Sequence, residues 1–306
     1  MKTKNSWECK GLIFKPNKKI SWMKSHCWVP IVEIINENLV KVFFSSRDSN
    51  NYSRTGHFYL NPKKPFEKKK ISKYSDIELG KLGTFDDSAA VSTSLVIHNG
   101  DKYLYYVGWM QGKRVRYYPS IGLSICKKGE TKFKKFSMAP IIPKSDMEPY
   151  GMASPFVIFD KKKKFWKMWY SSYRSWQLRK KNISFPNYEI RYATSLDGIN
   201  WKFYNKKIIS SKKLEAIARP YVVKRKNLYE MWYCARAKNK NYEKNYATSK
   251  NGIKWKKEKF ELKLSKNGYD SNMQAYPCYF TINKKEYLLY NGNNYGEDGI
   301  LMATKK

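Results

Sequence analysis

Apolar and aromatic residues come in short blocks separated by polar turns rich in Gly, Asn, Asp and Lys. No stretch keeps the 3.6-residue spacing of an amphipathic helix, so the blocks read as β-strands. Two kinds alternate. One is aromatic and covers residues 40–46, 102–109, 165–172, 228–235 and 286–291. The other is more apolar and precedes each of these, at 28–34, 89–98, 153–160, 218–223 and 276–282. Four of the second kind carry proline near the start: Pro30, Pro155, Pro220 and Pro277. Proline is tolerated at the first residue of a strand, so its recurrence marks the same opening point each time.

A third block follows each pair and contains a repeat. Residues 191–201 read Arg-Tyr-Ala-Thr-Ser-Leu-Asp-Gly-Ile-Asn-Trp, and residues 245–255 read Asn-Tyr-Ala-Thr-Ser-Lys-Asn-Gly-Ile-Lys-Trp. Weaker copies lie at 121–133 and 300–304, and a degenerate one at 56–60. Each copy predicts a strand, a tight Asp-Gly or Asn-Gly turn and a return strand. The chain therefore divides into five units of three to four antiparallel strands. One such unit cannot bury both faces of its sheet, whereas several arranged radially can. The expected fold is all-β: a single five-bladed β-propeller over residues 1–306. Its blades would lie near 26–71, 87–139, 150–209, 216–262 and 272–306. Strand 300–304 is expected to pair beside the first unit and close the ring. The competing architecture is a β-sandwich.

The Ser-x-Asp/Asn-Gly-Ile-x-Trp turns at Ser195–Trp201 and Ser249–Trp255, with strands such as Lys167-Met-Trp-Tyr-Ser-Ser172 and Glu230-Met-Trp-Tyr-Cys234, carry a resemblance. The chain resembles the five-bladed propellers of glycoside hydrolase families 32, 43, 62, 68, 117 and 130, over nearly its whole length. The resemblance implies a funnel at one mouth of a central channel, lined from the starts of the innermost strands, with carboxylates from different blades doing the chemistry. It also implies an Asp-Pro pair in the first blade, where this chain has His26-Cys-Trp-Val-Pro30. A Glu-x-Pro pattern is implied further on, where Ala153-Ser-Pro155 and Ala218-Arg-Pro220 stand instead.

Polar residues gather at the strand openings. Glycosidic cleavage needs one carboxyl to protonate the leaving oxygen and another to activate water or attack the anomeric carbon. The candidates are Asp87 as base or nucleophile, Glu215 as acid and Glu148 as the orienting carboxylate. Asp86 and Asp270 are further carboxylates at equivalent places. His26 opens the first unit, and Gln274 and Tyr276 open the last. Arg47, Arg219 and Arg236 would suit an anionic substrate, because a guanidinium forks onto carboxylate or phosphate. Trp109, Tyr150, Tyr173, Trp176 and Tyr276 offer faces for sugar rings.

Composition changes the picture in three ways. Among 306 residues, 42% are hydrophobic and 16% aromatic, enough for a large core, which excludes general disorder. The net charge is +36, but 51 of the 61 basic residues are Lys, often in turn-like runs such as 161–164. With no reading motif beside them, these disfavour a nucleic-acid partner. The five cysteines, Cys9, Cys27, Cys126, Cys234 and Cys278, form no C-x-x-C or zinc spacing. They are expected as buried thiols in a reducing compartment, with no metal and no cofactor. No apolar run is long enough to span a membrane, and the N-terminus lacks the apolar segment of a secretory signal, so a cytoplasmic location is expected. The expected function is cleavage or transfer of a glycosidic bond, of hydrolase or phosphorylase type, in a setting such as surface-polysaccharide metabolism. The alternative is a non-catalytic propeller that binds a glycan or sugar nucleotide.

Overall fold

The computed structural model describes residues 5–179, 183–209 and 216–306. The fold is almost entirely β. In chain order the strands are β1 (Trp7–Phe14), β2 (Ser25–Asn36), β3 (Leu39–Arg47), β4 (Ser53–Leu60), β5 (Ala89–His98), β6 (Asp101–Gln111), β7 (Tyr117–Cys126), β8 (Lys134–Lys135), β9 (Met152–Asp160) and β10 (Phe165–Arg179). They continue with β11 (Ile183–Ser195), β12 (Lys202–Ile209), β13 (Ala216–Lys224), β14 (Tyr229–Arg236), β15 (Glu243–Ser249), β16 (Lys256–Glu258), β17 (Ala275–Ile282), β18 (Lys285–Asn291) and β19 (Ile300–Lys305). A single helical turn, α1 (Asn293–Gly296), precedes β19. Consecutive strands pair antiparallel as β2-β3-β4, β5-β6-β7-β8, β9-β10-β11-β12, β13-β14-β15-β16 and β17-β18-β19. The first strands of these groups lie side by side: β2 touches β5, β5 touches β9, β9 touches β13, β13 touches β17, and β17 touches β2.

Each predicted aromatic and apolar block falls inside an observed strand to within one residue. The sequence pattern missed β1, whose Trp-Glu-Cys-Lys-Gly-Leu-Ile-Phe run alternates poorly although Trp7, Ile13 and Phe14 are buried. Strand β19 was expected beside the first unit. It pairs instead with β18 on one side and β1 on the other, so the N-terminal strand is the one that joins the last group.

The turns explain how the groups hold together. In residues 195–200, Ser195 Oγ accepts the Gly198 N–H at 2.8 Å, and Asp197 Oδ1 accepts the N–H groups of Ile199 and Asn200 at 2.8 Å each. In the second copy Ser249 and Asn251 do the same for Gly252, Ile253 and Lys254. Both glycines sit at φ +79°, where an L side chain is strained. Each turn then docks on the preceding group. Tyr105 of β6 donates to Gly198 O and Trp169 of β10 donates to Gly252 O, both at 2.7 Å. Trp166, Trp169 and Trp232 are fully buried between groups.

The recurring prolines do not open the strands. Pro30, Pro155, Pro220 and Pro277 lie inside β2, β9, β13 and β17, where the pairing register shifts. A bulge leaves one residue out of the ladder, so the missing proline N–H costs no hydrogen bond there. Strand β5 is bulged between Ser92 and Ser94 without a proline.

Candidate functional site

The residue before each of those prolines has a left-handed backbone: Val29 at φ 53°, Ser154 at 48°, Arg219 at 53° and Tyr276 at 52°. For bulky or branched side chains this conformation costs on the order of 1–3 kcal/mol and persists only where the surroundings impose it. The imposition is visible for three of them. The N–H of Val29 donates to Asn291 Oδ1 at 3.0 Å, that of Arg219 to Ser171 Oγ at 3.3 Å, and that of Tyr276 to Cys234 Sγ at 3.0 Å. In each case the acceptor lies on the second strand of the neighbouring group. The bulge therefore places one residue per inner strand on a shared wall.

Val29, Ser154, Arg219 and Tyr276, with Thr93 from the β5 bulge, line one cavity of about 420 Å³. That volume is within the usual range for a small-molecule site. Aromatic rings form much of its lining. Trp28 packs edge-on to Trp109 and Tyr276, with centroids 6.0 and 5.7 Å away. The ring contacts continue from Trp109 to Tyr117 at 5.5 Å; Tyr173 packs on Tyr188 at 4.9 Å, and the Tyr117 and Tyr173 hydroxyls lie 3.1 Å apart. Burial raises the pKa of Tyr117, Tyr173, Tyr188 and Tyr276, so these phenols stay protonated at neutral pH.

Four arginines line the same cavity: Arg47, Arg116, Arg219 and Arg236. Arg219 is fully buried; its guanidinium donates to Thr93 O at 2.7 Å and Pro30 O at 3.4 Å, and its Nε has no hydrogen-bond partner. Arg236 is 7% exposed, donates to Pro186 O at 3.2 Å, stacks against Phe185 and Tyr242, and also has an unpartnered Nε. Arg47 lies over the Trp28 ring at 5.3 Å, and Arg116 over Phe185 at 4.6 Å. Burial lowers the pKa of Arg47 and Arg219. Among the described residues none of the four makes an ion pair, and no carboxylate lines the cavity. Glu297 acts on Arg47 only through space.

The predicted carboxylates lie elsewhere. Asp86, Glu148 and Asp270 are each 1–2% exposed and do not line the cavity. Each accepts a tyrosine hydroxyl from the second strand of its own group: Tyr106 to Asp86, Tyr170 to Glu148 and Tyr290 to Asp270, all at 2.8 Å. Asp86 also pairs with Lys135 at 2.6 Å, and Glu148 with Arg191 at 3.4 Å. Burial alone would raise the Asp270 pKa, but hydrogen bonds from Ser265, Gln274 and Tyr290 and the charge of Lys244 hold it below the ordinary value. The three acids thus latch the loop before an inner strand onto the strand behind it.

Asp87 accepts from Gly83 N at 3.0 Å and Ser88 Oγ at 2.7 Å, away from the cavity. Gln274 donates to Asp270 at 2.7 Å. His26 lies 3.0 Å from Ser25 Oγ, and burial, then the charge of Arg47, bring its pKa down to about 4. Glu215 lies outside the described residues. Of the predicted substrate-binding set, Arg47, Arg219, Arg236 and Tyr276 share the cavity; His26, Asp86, Asp270 and Gln274 do not line it. The sequence reading missed Arg116, Tyr117, Phe185, Tyr188, Tyr242 and Tyr295. The signal available for this wall was the residue preceding each recurring proline.

Such a site can stack rings and hold negative charge. Among the described residues no group of His, Cys, Asp and Glu side chains is arranged to hold a metal, and no helix is long and apolar enough to cross a membrane.

No family model matches the chain. A solved glycoside hydrolase superposes with a TM-score of 0.78 at 16% identity, covering 99% of this chain and 92% of that one. A thermostable family-43 glycoside hydrolase superposes with a TM-score of 0.64 at 13% identity, over 91% and 88% of the two chains. The fold is thus that of the family-43-like glycoside hydrolase propellers. The Mycobacterium tuberculosis uncharacterized protein Rv1502 is 32% identical over 305 residues, which span 98% of this chain and 99% of that one. With the two chains matching end to end at this identity, the protein belongs to the Rv1502 family, built on a glycoside hydrolase fold.

Proposed function

We propose that the protein binds a carbohydrate in the central cavity. The observation that carries this reading is the wall itself: Trp28, Trp109 and Tyr276 face a cavity at the place where the inner strands converge. Flat apolar ring faces beside hydrogen-bonding hydroxyls suit a sugar, which is apolar on one face and polar at its rim. The likeness to glycoside hydrolases supports the same substrate class. We read the antiparallel groups as the five blades of a propeller, with β2, β5, β9, β13 and β17 around its axis. The side-by-side order of those strands supports that count.

The test is calorimetric titration with a panel of mono- and disaccharides. At least one should bind, and Trp109→Ala and Tyr276→Ala should each weaken it by about tenfold, in keeping with a lost stacking face. Unchanged affinity in both variants would remove the reading.

Glycosidic cleavage or transfer is the second reading, favoured by the likeness to glycoside hydrolases. It assigns Asp87, Glu148 and Glu215 as the reacting carboxylates. The latch geometry of Glu148 and the position of Asp87 argue for binding instead. Turnover of aryl glycosides that disappears in Asp87→Asn and Glu215→Gln, with folding intact, would favour cleavage.

A further inference from the structure

Four arginines outside the cavity, Arg54, Arg174, Arg191 and Arg225, have counter-ions. Arg54 pairs with Asp48 at 2.5 Å, Arg191 with Glu189 at 3.0 Å and Arg225 with Glu230 at 2.6 Å. Those lining the cavity have none among the described residues, although two of them are buried. A buried charge without a partner is strongly unfavourable, and the described carboxylates pair with Arg54, Arg191 and Arg225 and not with these four. Arg236 is nine-tenths buried with its Nε unpartnered, so the missing partner is a hydrogen-bond acceptor as well as a negative charge. Arg219 sits fully buried in the same lining and adds positive charge at short range in a low-dielectric setting. Its side chain is inaccessible, so it acts as a fixed charge and the contact falls to Arg236 and Arg47.

We propose that Arg236 and Arg47, backed by the buried Arg219, form a seat for an oxyanion carried by the ligand, so that the carbohydrate is a charged one. The shared chemistry is a tetrahedral or planar oxyanion, supplied by a sugar phosphate or by a uronate carboxylate. Guanidinium groups match both in fork geometry. The neighbouring aromatic wall then takes the ring of the same molecule. The ring placement rests on the carbohydrate reading; the seat itself does not.

The experiment uses the whole protein labelled with nitrogen-15 arginine, whose ten arginines give a resolvable set of Nε–Hε signals. Arg47→Lys and Arg236→Lys assign the two seat signals. Titration with inorganic phosphate should move both along a saturable curve at millimolar concentrations or below, while the paired Arg54 and Arg225 stay in place. Arg47→Gln, at a position less buried than Arg236, should weaken phosphate by about tenfold even if Arg236→Gln does not fold. Seat signals that stay fixed, or that drift with all other arginines without saturating, overturn the proposal.

A second arm compares glucose 1-phosphate and glucuronate with glucose. Tighter binding of either anion, in competition with phosphate, supports the seat and says which oxyanion it prefers. Glucose binding as tightly as both anions, without competing with phosphate, overturns it. Phosphate binding that no sugar in a broad hexose panel improves would leave the seat standing and remove the carbohydrate reading.

Discussion

Glu148 separates a latch from a catalyst. Its carboxylate is 2% exposed and accepts from Tyr170 at 2.8 Å and from Arg191 at 3.4 Å, with Arg174 at 3.8 Å. Glu148→Ala would strip a buried cluster of its only described negative charge besides Glu189, and leave the Tyr170 hydroxyl without its acceptor. Breaking one side of a buried ion pair costs about 3–5 kcal/mol, and an orphaned buried hydroxyl about 1–3 kcal/mol, the two not being additive. For a chain of this size that corresponds to a fall in melting temperature on the order of 10 °C. Urea unfolding and calorimetry of the wild type, Glu148→Ala, Tyr170→Phe and the double variant measure it. Tyr170→Phe should cost about 1 kcal/mol alone and much less in the Glu148→Ala background, because the hydrogen bond is already gone. Carbohydrate affinity should change little in any variant that remains folded. A Glu148→Ala protein that melts with the wild type would refute the latch and restore Glu148 as a candidate catalyst.

Other consequences follow from the same geometry. Gly252→Ala puts a Cβ 3.0 Å from the Trp169 ring at φ +79°, and should destabilise by about 1–3 kcal/mol, read as a lower urea midpoint. Lys135→Met removes the cation that pairs with Asp86 at 2.6 Å and leaves a buried carboxylate without its counter-ion; it should destabilise by about 3 kcal/mol, read as a lower urea midpoint, and a midpoint equal to the wild type would contradict the pairing. His26 has a pKa near 4 against an ordinary 6.5, so between those values the unfolded chain binds more protons and stability must rise with pH. The slope is at most about 1.4 kcal/mol per pH unit for this one proton, flattens above about pH 6.5, and should be absent from that window in His26→Gln.

Much of the architecture was readable because period and punctuation agree. The turn at Ser195–Trp201 and its copy at Ser249–Trp255 reveal a repeating unit, and strand patterning supplies the rest. Strand β1 escaped because only Trp7, Ile13 and Phe14 of its eight residues are buried, and their spacing does not alternate. The site was less legible for a physical reason. Carboxylates at strand openings look alike in sequence whether they face a cavity or a tyrosine of the strand behind, as Asp86, Glu148 and Asp270 do. The left-handed bulge that turns Val29, Ser154, Arg219 and Tyr276 to the wall is a backbone property, and the prolines beside them mark its place without stating its direction. Arg116 and Phe185 reach the cavity from opposite sides of a 4.6 Å stacking contact that no local pattern encodes.

The most direct test of the account is the electron density of crystals grown with a hexose phosphate. The account predicts the sugar ring against Trp28 and Tyr276, and the phosphate within hydrogen-bonding distance of Arg47 or Arg236. Density for the ligand beside Asp86, Glu148 or Asp270, or with its phosphate turned away from the arginines into solvent, would contradict it.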